Sequence, residues 1–257
     1  MILLTNDDGP GSLGLTIAKR ALLELDDVVV IVPTREQSCI GKAITSGRVV
    51  KVGEARMLDG TLVAVIDGTP ADVVLIAFNK LLKQRPRLLV SGINLGPNLG
   101  LDDALDSGTL GAAFEAALRG VPAIAMSYCM ERGEREELIE EDLEEAGEVL
   151  RRVARFVLEE GMPRGVDVLS INVPVGFKLS STPIELTRLS SKPYRDLHVE
   201  VEGGYVIKYW GLDIYGRDVE DTDVEAIRRG ALSITPIALR LPSPRKSCRR
   251  LLEVLAQ

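Results

Sequence analysis

The sequence predicts an α/β fold with an open, mostly parallel sheet and a β-rich appendage towards its C-terminus. Three observations predict it. The chain opens on an apolar run, Met1 to Leu4, that enters the polar, acidic turn Thr5-Asn6-Asp7-Asp8-Gly9. Further short apolar runs then alternate with segments whose apolar residues recur at helical spacing, the pattern of successive βα units. From about residue 184 this gives way to short alternating runs around Gly203-Gly204, a hairpin signal.

Taken in order, Leu13, Leu15, Ile17, Ala18, Ala21, Leu22 and Leu25 give the first helix its apolar face. Val28 to Val32 is a second buried strand, stopped by Pro33, and the loop that leaves it ends at Ser38. Residues 43–66 read as short strands joined by Gly47, Gly53 and Gly60, an antiparallel excursion. Thr69 and Pro70 are a helix start, N-cap followed by proline at the first helical position. A strand over 87–91 enters a long Gly- and Asn-rich loop that runs on to Asp106, before a helix containing Ala112, Ala113 and Ala116. A strand over 121–126, an amphipathic helix over 134–160 and a strand over 166–171 follow, the last leaving through Asn172-Val173-Pro174. Leu197 to Val201 and Tyr205 to Tyr209 form the hairpin. Asp221-Thr222-Asp223 caps a short helix, Ala231 to Ile237 is a strand, and Ser243-Pro244 starts a closing helix. The expected division is a core over 1–180, a hairpin extension for oligomerisation over 181–220, and a C-terminal part over 221–257 that returns to the core or to a partner subunit.

Composition sets further bounds. The 257 residues are 46% hydrophobic, enough for a sizeable core, and 31 basic against 38 acidic residues give a net charge of −7. No basic footprint for a nucleic-acid duplex is expected. Three cysteines, Cys39, Cys129 and Cys248, lack CxxC spacing and fit a reducing compartment rather than a disulfide framework or zinc site. No apolar run approaches membrane-spanning length and no leader precedes the first strand, so the expectation is a cytoplasmic protein away from the membrane.

The carboxyl edge of an open α/β sheet is where ligands bind, and three polar loops fall there. The first holds Asp7 and Asp8, two carboxylates that repel unless a cation lies between them. The alternative is that Asn6, Asp7 or Asp8 caps the next helix. The second loop holds Ser38. The third runs from Asn94 through Asn98 to Ser107-Gly108-Thr109, where a helix N-terminus offers N–H groups and hydroxyls for a phosphate, or where Ser107 is an ordinary cap. These candidates are hard oxygen donors without His or Cys, which points to Mg²⁺ or Mn²⁺. No GxxxxGK[ST] is present. His198, the sole histidine, falls in the appendage and reads as a surface or interface residue. A receiver domain shares the acidic pair, with Asp67 as its phospho-acceptor, but this chain is twice the size of such a domain and lacks the family's lysine after Met126.

Read together, Leu3-Leu-Thr-Asn-Asp-Asp-Gly9, Arg35-Glu-Gln-Ser38, Gly68-Thr-Pro-Ala-Asp72, Ser91-Gly-Ile-Asn-Leu-Gly96 with Asn98-Leu-Gly100, Ser107-Gly-Thr109 and Ser233-Ile-Thr-Pro236 resemble the ordered motifs of the SurE family, the survival-protein-E nucleotidases. The resemblance runs from Met1 to about Pro236. It implies a three-layer α/β/α, Rossmann-like core, with a hairpin extension exchanged between subunits of a homodimer or, in some members, a tetramer. It further implies a metal-dependent phosphomonoesterase, or acid phosphatase, acting on nucleoside 5′- and 3′-monophosphates through metal-assisted attack of water. Motif by motif, it makes Asp7, Asp8, Ser38 and Asn94 the ligands of one divalent ion, with Asp7 and Asp8 catalytic. Asn98, Ser107, Gly108 and Thr109 hold the phosphate. Cys39 stands where glycine is usual, Pro10-Gly11-Ser12 departs from the usual alanine-bearing loop, and Asp221 replaces a glycine. Asp223 is a candidate for the leaving-group acid if its loop reaches the site. Two other readings use the same residues: a nucleotide sensor without turnover, and a receiver labelled at Asp67.

Overall fold

The computed structural model of the chain describes residues 1–130, 138–194, 198–207, 212–240 and 254. β1 (Ile2–Thr5) leads through the acidic turn to α1 (Leu13–Leu23) and β2 (Val28–Pro33). β3 (Val52–Arg56) and β4 (Leu62–Ile66) follow, then α2 (Pro70–Ile76), which continues as a π-helical turn over Ala77–Leu81. Next come β5 (Leu88–Leu95), α3 (Gly100–Asp106), α4 (Gly108–Leu118), β6 (Ala123–Cys129), α5 (Glu140–Glu160) and β7 (Val168–Pro174). The last part adds β8 (Ile184–Leu186), the hairpin strands β9 (His198–Val201) and β10 (Gly204–Ile207), α6 (Asp223–Arg228) and β11 (Leu232–Ile237).

Nine strands make one sheet in the order β3-β4-β2-β1-β5-β6-β7-β11-β8, and β9 and β10 pair separately. Parallel pairing runs from β4 through β2, β1, β5 and β6 to β7; β3 is antiparallel to β4 and β11 to β7. β1 sits in the middle and is buried on both faces, which is why it reads as a continuous apolar run. Its side chains alternate between two cores. Ile2 and Leu4 pack with Leu15, Leu22, Leu143 and Leu150 of α1 and α5, whereas Leu3 packs with Val73, Val74, Ala112 and Ala116 of α2 and α4. The architecture is thus three-layered, α/β/α. Each fully buried leucine contributes roughly 1.5–3 kcal/mol.

Local signals place the helix ends. Thr69 caps α2 in a capping box, its side chain accepting from Asp72 N while the Asp72 carboxylate accepts from Thr69 N at 2.9 Å. No helix among the described residues is long and apolar enough to cross a membrane.

Four expectations need correction. The strand expected over 87–91 continues to Leu95, because Asn94 and Leu95 pair with Ser127 and Tyr128 across a register shift after Ser91. Pairing with β6 and burial of Ile93 and Leu95 outweigh the Gly/Asn composition. The stretch expected to stay loop up to Asp106 contains α3, whose Leu101 and Leu105 are exposed, so no apolar stripe announced it. Residues 43–51 form no strand, and Gly53 lies inside β3 rather than at a joint. α5 starts at Glu140, with Leu138 and Ile139 outside the helix. Residues 134–137, Leu197, Tyr209 and the closing helix expected at Ser243 lie outside the described residues.

Candidate active site

The acidic turn is built by Asn6. Its buried side chain accepts from Gly9 N at 3.1 Å and donates Nδ2 to the Gly9 carbonyl at 2.9 Å, closing the turn on itself. Gly9 completes it at φ +90°, a conformation that a side chain disfavours. The N-cap of α1 is Ser12, whose hydroxyl accepts from Leu15 N at 3.4 Å. None of Asn6, Asp7 or Asp8 serves as that cap, so the turn has another reason for its two carboxylates.

Asp7 is nearly enclosed, 7% exposed, and is reached from two sides. Thr109 at the start of α4 donates its hydroxyl to Oδ1 at 2.7 Å and its N–H to Oδ2 at 3.2 Å. The positive end of a helix favours a negative group there. From the other side, Gln37 N donates to the Asp7 carbonyl at 2.8 Å, tying the loop that carries Ser38 to the acidic turn. Asp8 is half-buried, with Oδ2 at 3.5 Å from the Ser12 hydroxyl. Gly108 permits this close assembly, since a Cβ there would lie 2.9 Å from Asp7 Oδ2.

β5 lies directly beside β1, with Ser91 opposite Thr5, so Asn94 emerges next to the acidic turn. Asn94 is 8% exposed and donates Nδ2 to the Gly96 carbonyl at 2.9 Å, leaving Oδ1 as its acceptor atom. Ser38 is exposed and donates to Glu36 Oε1 at 2.6 Å. Asn98 is buried and donates Nδ2 to Ser127 Oγ at 2.8 Å; an amide nitrogen has a second N–H to offer. Ser107 caps α4, its hydroxyl accepting from Leu110 N at 3.1 Å. The ordinary-cap role thus holds for the Ser107 hydroxyl, and both donors of Thr109 are engaged by Asp7. Asn172, read from sequence only as part of a strand exit, takes the Asn98 N–H on Oδ1 at 3.0 Å and returns Nδ2 to the Asn98 carbonyl at 2.9 Å.

Beside Asp8 a cleft of about 630 Å³ is lined by Leu13, Leu58, Leu95, Leu138 and Ile139 with Ser12, Glu36 and Glu140. The donor set suits a hard divalent ion: two carboxylates, an amide oxygen and a hydroxyl, on loops tied together by Thr109 and Gln37. Among the described residues no cluster of three or more His, Cys, Asp or Glu could hold a metal, so any cation here would have to add neutral oxygens to the Asp pair.

Comparison with known proteins identifies the family. The family described as "Survival protein SurE" matches residues 2–196. The chain belongs to the SurE family. It is 41% identical over 248 residues to "5′-nucleotidase SurE" of Archaeoglobus fulgidus, covering 93% of this chain and 92% of that one. The protein of the same description from Methanothermobacter thermautotrophicus is 40% identical, covering 77% and 76%. Among solved structures, the SurE protein of Aquifex aeolicus superposes with a TM-score of 0.77 at 31% identity, covering 100% of this chain and 99% of that one.

Within this SurE fold the remaining candidates have other surroundings. Asp67 leaves β4, which is separated from β1 by β2, and pairs with Arg48 Nη1 at 3.0 Å. His198 sits exposed on β9. Asp223 is fully buried, and its oxygens accept from Gly100 N at 2.7 Å, Ser190 N at 2.9 Å and Val224 N at 2.8 Å. A carboxylate spent on three backbone donors is poorly placed as a leaving-group acid.

Sequence reading missed Asp103, buried in α3. Its carboxylate accepts from Leu99 N at 2.5 Å, Tyr215 OH at 2.6 Å and Tyr194 OH. Burial pushes its pKa up to about 7 despite these donors, and neighbouring Asp106 adds to the rise. Between the ordinary value and about 7, the folded protein therefore holds a proton that the unfolded chain has released, and the stability this proton confers is lost as pH rises through that window. Asp103→Asn removes the titration. Its melting temperature should gain on that of the natural protein between about pH 5 and about pH 8. Two melting curves that stay parallel across that range would rule the effect out.

Proposed function

We propose that this chain is a metal-dependent nucleotidase that hydrolyses nucleoside 5′- and 3′-monophosphates to nucleoside and phosphate. The observation that carries the reading is the acidic turn itself. Asp7 is clamped between the N-terminus of α4 and the loop after β2, while Asp8 faces a cleft. The full-length relatives named 5′-nucleotidase support the reaction class.

Asp7, Asp8, Asn94 and Ser38 would hold one Mg²⁺ or Mn²⁺. Such an ion, when bound, neutralises phosphate charge and lowers the pKa of a water. The protein's own part is positioning and proton handling. Thr109 fixes the orientation of the Asp7 carboxylate, so that its charge is presented in one direction. The Gly108 N–H at the head of α4 and the second N–H of the Asn98 amide are donors suited to phosphate oxygens, where they stabilise charge that shifts as the ester bond breaks. An Asp carboxylate within reach of the attacking water takes its proton. The cleft beside Asp8 has the volume of a small-molecule site, and its leucine and isoleucine walls suit the flat apolar face of a nucleoside.

The exposed apolar residues Tyr205, Val206 and Ile207 on β10 favour a hairpin that docks on a second subunit, giving a homodimer. A cytoplasmic setting fits the cysteine usage.

Phosphate release is the test, measured on nucleoside 5′- and 3′-monophosphates, sugar phosphates and p-nitrophenyl phosphate with Mg²⁺, Mn²⁺ or chelator. Release should be fastest from nucleoside monophosphates and should stop in chelator. Metal-dependent nucleotide binding without release from any ester would make the protein a sensor instead.

A further inference from the structure

Four consecutive backbone N–H groups, from Asn98 to Leu101, are each taken by a different residue. Asn98 N donates to Asn172 Oδ1 of β7 at 3.0 Å and Leu99 N to Asp103 Oδ2 of α3 at 2.5 Å. Gly100 N donates to Asp223 Oδ2 of α6 at 2.7 Å, and Leu101 N to the Ser190 carbonyl at 2.8 Å. Two of the acceptors are carboxyl groups buried to 2% exposure or less. Burying a carboxyl group is costly, enough to push the pKa of Asp103 up to about 7, so an anchor that merely stabilised the fold would be better built from apolar side chains. Carboxylates are instead suited to fixing several donors at defined points.

The clamp is braced from the C-terminal part. Tyr215 OH and Tyr194 OH both donate to Asp103, and their rings meet edge-on at 5.8 Å between centroids. Tyr194 N donates to Asp102 Oδ2 at 2.7 Å, and Arg228 holds the Tyr215 carbonyl at 2.5 Å. Residues distant in sequence therefore converge on the short segment that presents Asn98.

We propose that Asp103 and Asp223, braced by Tyr194 and Tyr215, are positioning residues that set the Asn98 amide for phosphate, so that Tyr194, Tyr215 and Asp223 govern how well substrate is held. The inference rests on the nucleotidase reading, because it takes the Asn98 amide as a phosphate donor. Its physical basis is geometry: a donor moved out of hydrogen-bond reach no longer helps to hold the phosphate of bound substrate. Gly96 to Leu99 has no regular structure of its own to prevent such a shift.

Tyr215→Phe and Asp223→Asn test it in the full chain. The first removes one hydroxyl donor and keeps the ring; the second puts an amide in place of one of the two acceptor oxygens. Hydrogen exchange at residues 98–101 should be faster in both, and KM for a nucleoside monophosphate should rise about tenfold with a smaller change in kcat. In an Asn98→Ala background the Tyr215→Phe effect on KM should vanish, since the residue through which it acts is gone. An undiminished effect in that background overturns the proposal, as does faster exchange with KM unchanged. If the natural protein releases no phosphate, the nucleotidase reading fails separately. Affinity for inorganic phosphate, compared across the same variants, then decides the clamp, and equal affinities overturn it.

Discussion

Gly108→Ala is expected to cut phosphate release at least about a hundredfold while lowering the melting temperature by several degrees. Gly108 is the first residue of α4, and its backbone needs no special conformation; what it supplies is space. A Cβ at that position would lie 2.8 Å from Asp7 Cβ, 2.9 Å from Asp7 Oδ2 and 3.0 Å from the Gln37 carbonyl oxygen. None of these neighbours can yield cheaply. Asp7 is fixed by both donors of Thr109, and the Gln37 backbone is fixed by its bond to the Asp7 carbonyl. Overpacking of this kind costs about 1–3 kcal/mol, and the strain falls on the Asp7 carboxylate itself. Steady-state rates and a thermal melt on the same preparation separate the two effects. An alanine variant with a near-normal rate would show that the packing of Asp7 on α4 has no part in the reaction.

The acidic turn of the candidate site was legible in the sequence because it lies at a strand exit. A buried apolar strand running into Asn6-Asp7-Asp8-Gly9 announces a carboxyl edge with charge on it, and the strand order then brings Asn94 beside it. Thr69-Pro70 and Ser107 marked helix starts through local chemistry that needs no tertiary context. What sequence could not give was long-range. α3 has no apolar stripe, since its ordering comes from Asp103 bonding to tyrosines about ninety and more than a hundred residues later, and no local window holds both partners. Asn172 and Asp223 looked like a strand exit and a helix cap, and only the folded chain shows them gripping Asn98 and Gly100. Thr109 is the sharpest case. Its hydroxyl reads as a phosphate donor from position alone, yet in the fold it meets Asp7, 102 residues earlier in the chain.

That division of labour between the two carboxylates leads to the second expectation, that Asp8→Asn abolishes phosphate release, by about a thousandfold or more, with the fold retained. Asp7 is committed to Thr109 and can present only what that geometry leaves. Asp8 is half-buried and lines the cleft, where it is the carboxylate belonging to the acidic turn, with Glu36 and Glu140 also on the wall. Asparagine keeps its size and one oxygen but removes the negative charge, so the pair loses most of its attraction for a divalent ion. The melting temperature in chelator should therefore stay within a few degrees of the natural protein's, as for most substitutions away from the core. Added Mn²⁺ should raise the melting temperature of the natural protein, because a ligand that binds only the folded state stabilises it, and the same addition should leave the variant unmoved. The two readouts answer different questions. A lost rate with a preserved metal shift would make Asp8 a proton acceptor rather than a ligand, and a near-normal rate would take its carboxylate out of the reaction altogether.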